Sequence, residues 1–336
     1  MQTREHRAPR QGFSGVPEIL GISVRRASAM SRHAWLLALP FTWLAFGSAF
    51  VALKVGVATA PPFLFSGSRF LIAGAALMAW VAIRSGGDLG ISLRDLAIGA
   101  GAGVGMILAG QGGATWATQY LAPGMVAVLS STMPIWAAVI SRLLFGSQLS
   151  ALAVAGLVAG LGGVAFLAWP GGGAQIQLLP ALVTTVGAIG WASGSLIASR
   201  SRLGRRPLLL TSLSMLVGGG LQVLLGLILG EGTRLGFEQL APAAPVWLYL
   251  VLVPALLAFP VLTWLFTQVQ LDVVNTIAYA VPVVALVLGW LLLGEQVTGR
   301  TFVAVVVILA GVVMIVWSAR RQAEPEPELE AAEAAA

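Results

Sequence analysis

Few side chains in this apolar sequence can do chemistry, and their types limit which chemistry is open. Arg69 falls about seven residues into an apolar stretch. An arginine at such a depth faces the protein interior and takes a partner. Two roles fit it: structural pairing, with Glu295 approaching from one edge, or binding of a substrate carboxylate. The amides of Gln111, Gln119 and Asn275, the Ser131 hydroxyl and the Tyr279 phenol also lie in or beside apolar stretches. Each is costly there unless hydrogen-bonded or facing water. Trp43, Trp116, Trp191 and Trp264 complete a candidate set of substrate-binding or cavity-lining residues, packing or an interfacial belt being the alternative for the tryptophans.

Other chemistries lack their residues. There is no cysteine, so there is no thiolate nucleophile or thiolate metal site. The only histidines, His6 and His33, precede the first apolar stretch. A membrane-embedded prenyl- or acyltransferase would need clustered acids with Mg²⁺ or a histidine base, and no acid falls near the middle of an apolar stretch. No catalytic residue, metal or cofactor is therefore assigned, and the chain is read as a non-enzyme. The glycines from Gly99 to Gly113 have neither a preceding strand nor a Gly-Lys-Ser/Thr sequence, so they suit close helix packing rather than phosphate binding.

These residues must be positioned by helices that cross a membrane. Of 336 residues, 58% are hydrophobic and 10% charged, with a mean hydropathy of +0.91. Soluble domains carry about 25% charged residues. With about 20 apolar residues needed per crossing, spans are expected at roughly 35–57, 63–84, 95–118, 122–145, 150–169, 180–202, 207–230, 246–269, 272–293 and 299–318. If the N-terminus is cytoplasmic, fifteen of the nineteen Lys and Arg residues fall inside, and Lys54, Arg69, Arg234 and Arg300 fall outside or in the outer half of the membrane. Both termini are then cytoplasmic. Lys54, near the outer end of the first span, suits snorkelling. The net charge of +6 is scattered over helix ends, which excludes a nucleic-acid-binding face. Residues 1–33 and 320–336 read as disordered tails, with Met30 an alternative translation start.

One offset, 148 residues, recurs along the chain. It pairs Trp43 with Trp191, Thr115-Trp116 with Thr263-Trp264, Pro134 with Pro282, Gly146 with Gly294 and Trp169 with Trp317. The repeat holds five spans, an odd number, so the second copy (170–319) enters the membrane opposite to the first (34–169). The expected fold is all-α, with ten transmembrane helices as two inverted five-helix repeats and the substrate site between them. Pro134 and Pro282 lie mid-helix and each removes a backbone hydrogen bond, so kinks that shape or gate the cavity are expected.

The stretch from Phe46-Gly47-Ser48 to Lys54, followed by Pro61-Pro62 and Arg69-Phe70, resembles the EamA type of the drug/metabolite transporter superfamily. So do Trp191-Ala192-Ser193-Gly194-Ser195 and the segment from Ala280 to Glu295. The resemblance covers about residues 35–318. This chain departs from it at Phe46, where tryptophan is common, and at Gly146-Ser147, where Gly-Glu is common. The resemblance implies a central cavity lined by helices 1–4 and 6–9, and small metabolites, often amino acids or related compounds, as cargo. The expected function is export across the inner membrane by alternating access; a non-transporting scaffold or receptor is the alternative. The partners are a small-molecule substrate and the lipid bilayer, with Gly156 and Gly160 suited either to internal packing or to a homodimer. Because no acid lies in the middle of a span, Asp272 and Glu295 standing at the edges of the ninth, transport is expected to need no obligate proton step.

Overall fold

A computed structural model describes residues 34–146, 148–168, 177–199, 201, 203, 206–234, 236–268, 274 and 276–323. Asn275, Asp272, both terminal tails and the Met30 start lie outside the described residues. All regular structure among the described residues is helical. The first four helices are α1 (Ala34–Val57), α2 (Pro62–Arg84), α3 (Leu93–Ala117) and α4 (Pro123–Phe145). They are followed by α5 (Ala151–Ala168), α6 (Leu178–Ser199) and α7 (Pro207–Ile228). Next comes α8, built from Ala244–Leu250, Val251–Ala258 and Phe259–Gln268. The last two are α9 (Ile277–Leu293) and α10 (Gly299–Ala323). Eight of these rods are long and apolar enough to cross a bilayer, and α5 and α9 hold shorter apolar segments.

The helix ends follow local chemistry. Pro62, Pro123 and Pro207 open α2, α4 and α7 at the first helical position, where a missing N–H costs nothing. Ser92 and Asp95 form a reciprocal capping box at the start of α3. Gly146 and Gly294, 148 residues apart, close α4 and α9 at φ 67° and φ 65°, a left-handed conformation natural to glycine. The starts of α5 and α10, Ala151 and Gly299, are also 148 apart.

Two departures from simple α-helix were not visible in the hydropathy. In α3, Gly103–Gly112 is wound as π-helix, and Val251–Ala258 in α8 is too; their first residues are again 148 apart. Each has a cause. Pro254 removes an N–H within the second, and the Gln222 side chain donates Nε2–H to the carbonyl of Ile107 within the first, entering the helix's own ladder. Pro134 and Pro282 behave differently. The fourth span breaks into Pro123–Ser130 and Met133–Phe145 just before Pro134, whereas α9 runs unbroken through Pro282.

The glycine run serves packing. α2 lies along α7, α5 along α10, and α3 against α6 and α7. A Cβ on Gly103 would come within 2.7 Å of the Ser214 carbonyl oxygen, and one on Gly187 within 2.8 Å of that of Ala109. Small residues let backbones touch where lipid gives no hydrophobic drive to associate. Span α8, the partner of α3 at the 148 offset, has no glycine between Ala244 and Gln268 and packs through side chains. Gly103→Leu is expected to abolish recovery of monodisperse protein from membranes. Gly101→Ala, whose nearest neighbour is Ile197 Cδ1 at 4.0 Å, is expected to behave as wild type by size-exclusion chromatography. Gly156 and Gly160 belong to the same kind of packing. Gly156 faces the Gly311 carbonyl of α10, and Gly160 faces Ile135.

Candidate functional site

The end of the bundle where α2 begins holds a cleft of about 250 Å³. Its walls include Phe63, Trp116, Gln119 and Tyr120 from the first half and Glu231, Thr233 and Arg234 from the segment after α7. Trp116 and Tyr120 stack at 4.9 Å between ring centroids. Gln119 turns its amide onto the carbonyl of Trp116 at 3.1 Å.

Glu231 is the first residue of a 3₁₀ turn and is only 8% exposed. Its carboxylate accepts the backbone N–H groups of Phe63 (3.3 Å) and Leu64 (2.9 Å). Those donors are orphaned because Pro61-Pro62 precedes them and the helix cannot supply partners for its own first turn. An acid there also meets the positive end of the helix dipole. Such a cap contributes on the order of 1–2 kcal/mol. Gly226 makes room for it, since a Cβ there would sit 2.7 Å from Glu231 Oε2.

Glu295 plays a similar part at α4. It takes the backbone N–H of Gly124 and faces Lys54. Lys54 is therefore more than a snorkelling cation: its Nζ donates to the carbonyls of Gln119 (3.3 Å) and Leu121 (3.2 Å), in the turn that follows α3. Half-burial pushes the Glu295 carboxyl above the ordinary glutamate range, and Lys54 opposes that rise. The folded state thus holds this proton more tightly than the unfolded chain. Its stability is highest below the ordinary glutamate value and falls as pH rises through the raised one. Melting curves across pH 4–7 should show that fall in wild type and a flatter profile in Glu295→Gln; identical profiles would contradict it.

Below the cleft a polar track runs inward. Along α2, Phe63 is followed by Ser66 and Arg69; along α3, Gln119 is preceded by Thr115 and Gln111, each set on one face of its helix. Thr115 Oγ1 meets Ser66 Oγ at 3.3 Å, and both residues are fully buried. One turn further in, Arg69 Nη2 donates to Gln111 Oε1 at 3.1 Å. Arg69 is 3% exposed, its guanidinium lies 4.3 Å from the Phe70 ring centroid, and its Nε has no hydrogen-bond partner. The expected pairing with Glu295 is not made, because Glu295 is engaged at the rim by Lys54 and Gly124. Gln222, buried in α7 against the same stretch of α3, leaves Oε1 unpartnered.

The structure brings Arg69, Gln111, Trp116 and Gln119 together and places the other candidates elsewhere. Trp43 and Trp264 pack with Leu39, Leu265 and Val274 near the opposite end, where the Trp43 Nε1 has no partner. Trp191 is half-buried and lies against Gly110. Ser131 is buried at the break in α4 and bonds the carbonyl of Val128 at 2.7 Å. Tyr279 is half-buried in the first turn of α9. Ser66, Thr115, Gln222 and Glu231 are additions to the site. Gln222 carried a signal, an amide in the middle of an apolar stretch; Glu231 did not, since an acid at a span edge looks merely solvated.

Membrane-length helices around a buried polar track beneath a cleft define a membrane transporter. Two segments of the sequence, residues 33–169 and 178–317, match the EamA-like transporter family. This chain belongs to that family. It is 31% identical over 281 residues to the Escherichia coli protein named "Uncharacterized inner membrane transporter YedA", covering 83% of this chain and 89% of that one. It is 28% identical over 273 residues to "Uncharacterized transporter YoaV" of Bacillus subtilis, covering 81% and 92%. It is also 26% identical over 296 residues to the "Probable terminal-alkyne amino-acid exporter" of Streptantibioticus cattleyicolor, covering 85% and 94%. A solved crystal structure, 24% identical, shares the fold over 87% of this chain and the whole of the other, with a TM-score of 0.54.

Proposed function

We propose that this transporter exports small metabolites, amino acids or related compounds among them, across the inner membrane by alternating access between two inverted five-helix repeats. The observation that carries the reading is the cleft, whose walls come from both halves of the chain, together with the polar track of α2 and α3 that runs from it to Arg69. Inversion is supported by contacts at the two ends. The start of α10 meets the end of α5 through Arg300 and the Phe166 carbonyl, at 2.6 Å from Nη2. The residue before α5 meets the end of α10 through Ser150 and Ser318, at 2.5 Å. Glu231, just after α7, caps the start of α2. These contacts support antiparallel halves, the arrangement expected of ten crossings divided between 34–169 and 170–319, and the distribution of arginines supports cytoplasmic termini.

The cleft then opens outward, and the broken α4 at Pro134 and the continuous α9 at Pro282 are the candidate gating helices. The amino-acid-like cargo draws support from the name of the Streptantibioticus relative. No nucleic acid is involved in this reading. A homodimer would use a face other than that of Gly156 and Gly160, which pack within the chain.

Reconstitution into proteoliposomes with a panel of radiolabelled amino acids tests the reading. Uptake of at least one should saturate and equilibrate with equal pH on both sides. An imposed pH gradient without membrane potential should not drive it above the external concentration. Accumulation that requires the gradient and disappears in Glu295→Gln would establish proton coupling instead. Uptake of nothing on a broad metabolite panel would favour the scaffold or receptor.

A further inference from the structure

A buried guanidinium normally comes with an anion, because removing a charge from water costs several kcal/mol unless it is paired. Arg69 lacks one. It offers five N–H donors in a planar fork, and its one side-chain acceptor is the neutral Gln111 oxygen. Its Nε is sealed from solvent without a partner among the described residues, and the residue is only 3% exposed. Its repeat counterpart at the 148 offset is the apolar Val217, so helix packing does not require a cation here. The pair sits one helical turn beneath the Ser66–Thr115 contact, and that contact lies one turn beneath the cleft wall at Phe63 and Gln119.

We propose that Arg69 and Gln111 form the floor of an anion site that takes the carboxylate of the transported solute, reached from the cleft when the Ser66–Thr115 contact opens. This rests on the transporter reading. A single guanidinium balances a single negative charge and its fork matches the two oxygens of a carboxylate. A phosphate dianion would call for further cations, and Lys54 and Arg234 stand at the rim rather than beside Arg69. Gln111 holds the fork in position through Nη2 and leaves Nε to the ligand.

The test uses the full-length protein in lipid nanodiscs and sodium acetate as the probe, with sodium chloride, phosphate and methylammonium chloride at matched ionic strength. Acetate should raise the melting temperature of wild type by several degrees, in the manner of any ligand that binds only the folded state. The shift should vanish in Arg69→Gln. Gln111→Glu supplies an internal carboxylate. That variant should melt higher than wild type without acetate and show no further shift with it, which keeps the test open if Arg69→Gln folds poorly. An equal acetate shift in Gln111→Glu, no acetate shift in wild type, or an equal shift with chloride or phosphate would each overturn the site. Proteoliposome transport is read separately. Transport of amines without any acetate effect removes the anion site and leaves the transporter intact; an acetate effect in a protein that moves no solute keeps the site and removes the transport reading.

Discussion

Joining Ser66 to Thr115 covalently should stop transport. The chain has no cysteine, so the double variant Ser66→Cys/Thr115→Cys carries one unambiguous pair. The native hydroxyls are 3.3 Å apart across fully buried positions, on neighbouring helices of the track. Cysteine differs little in size from serine, and sulfurs must close to about 2.05 Å, a shift within side-chain reach at this separation. Oxidation would fix α2 to α3 between the cleft and Arg69. Transport of any solute that wild type moves should fall more than tenfold after oxidation and return on reduction, with each single variant near wild type. The bond should also form faster while substrate is cycling, if turnover exposes the pair to oxidant. Full transport by quantitatively oxidised protein would show that solute does not pass between these helices.

How much of this was legible in the sequence follows from what each feature depends on. Span positions depend on hydropathy, which is local, and α1, α2, α5 and α7 begin within two residues of the expected places. α9 differs: the helix is seen from Ile277, five residues after the expected start at 272, with part of the interval outside the described residues. The 148 offset depends on rare residue types, and the structure places the π-helical stretches and the glycine caps at the same spacing. The π winding of α3 is not legible, because the Gln222 side chain that meets it at Ile107 is 115 residues away. Pairings were least legible. Nothing local tells Arg69 to choose Gln111 over Glu295, or Lys54 to bond carbonyls 65 and 67 residues away. Mirrored prolines predicted mirrored kinks, yet α4 breaks and α9 does not. Before Pro134, Ser131 and Thr132 turn their hydroxyls onto the carbonyls of Val128 and Leu129, and side chains that bond their own backbone compete with the helix. Tyr279 and Ala280 stand at the equivalent positions before Pro282 and have no short hydroxyl to do this.

The two buried or half-buried cations of the track separate by what their loss leaves behind. Arg69→Ala removes a charge that makes one neutral hydrogen bond, and it leaves Gln111 with an unmet acceptor. Losing a hydrogen bond to a charged group costs about 1.5–3 kcal/mol, but relief of an uncompensated buried charge offsets it, so the variant should insert and fold. Its transport should fall at least a hundredfold, since the polar track then ends in a cavity with no cation. Lys54→Ala leaves the Gln119 and Leu121 carbonyls bare and Glu295 without its opposing charge. At a half-exposed rim, water replaces most of that, so transport should drop only a few fold. The pH at which stability falls should move upward, because nothing then opposes the rise of the Glu295 carboxyl. Initial rates in proteoliposomes, normalised to inserted protein, together with melting curves at pH 5 and 7, measure both. Wild-type transport by Arg69→Ala would show that the charge at the floor is not essential, and a Lys54→Ala defect as deep as that of Arg69→Ala would show that the charge at the rim is needed as much.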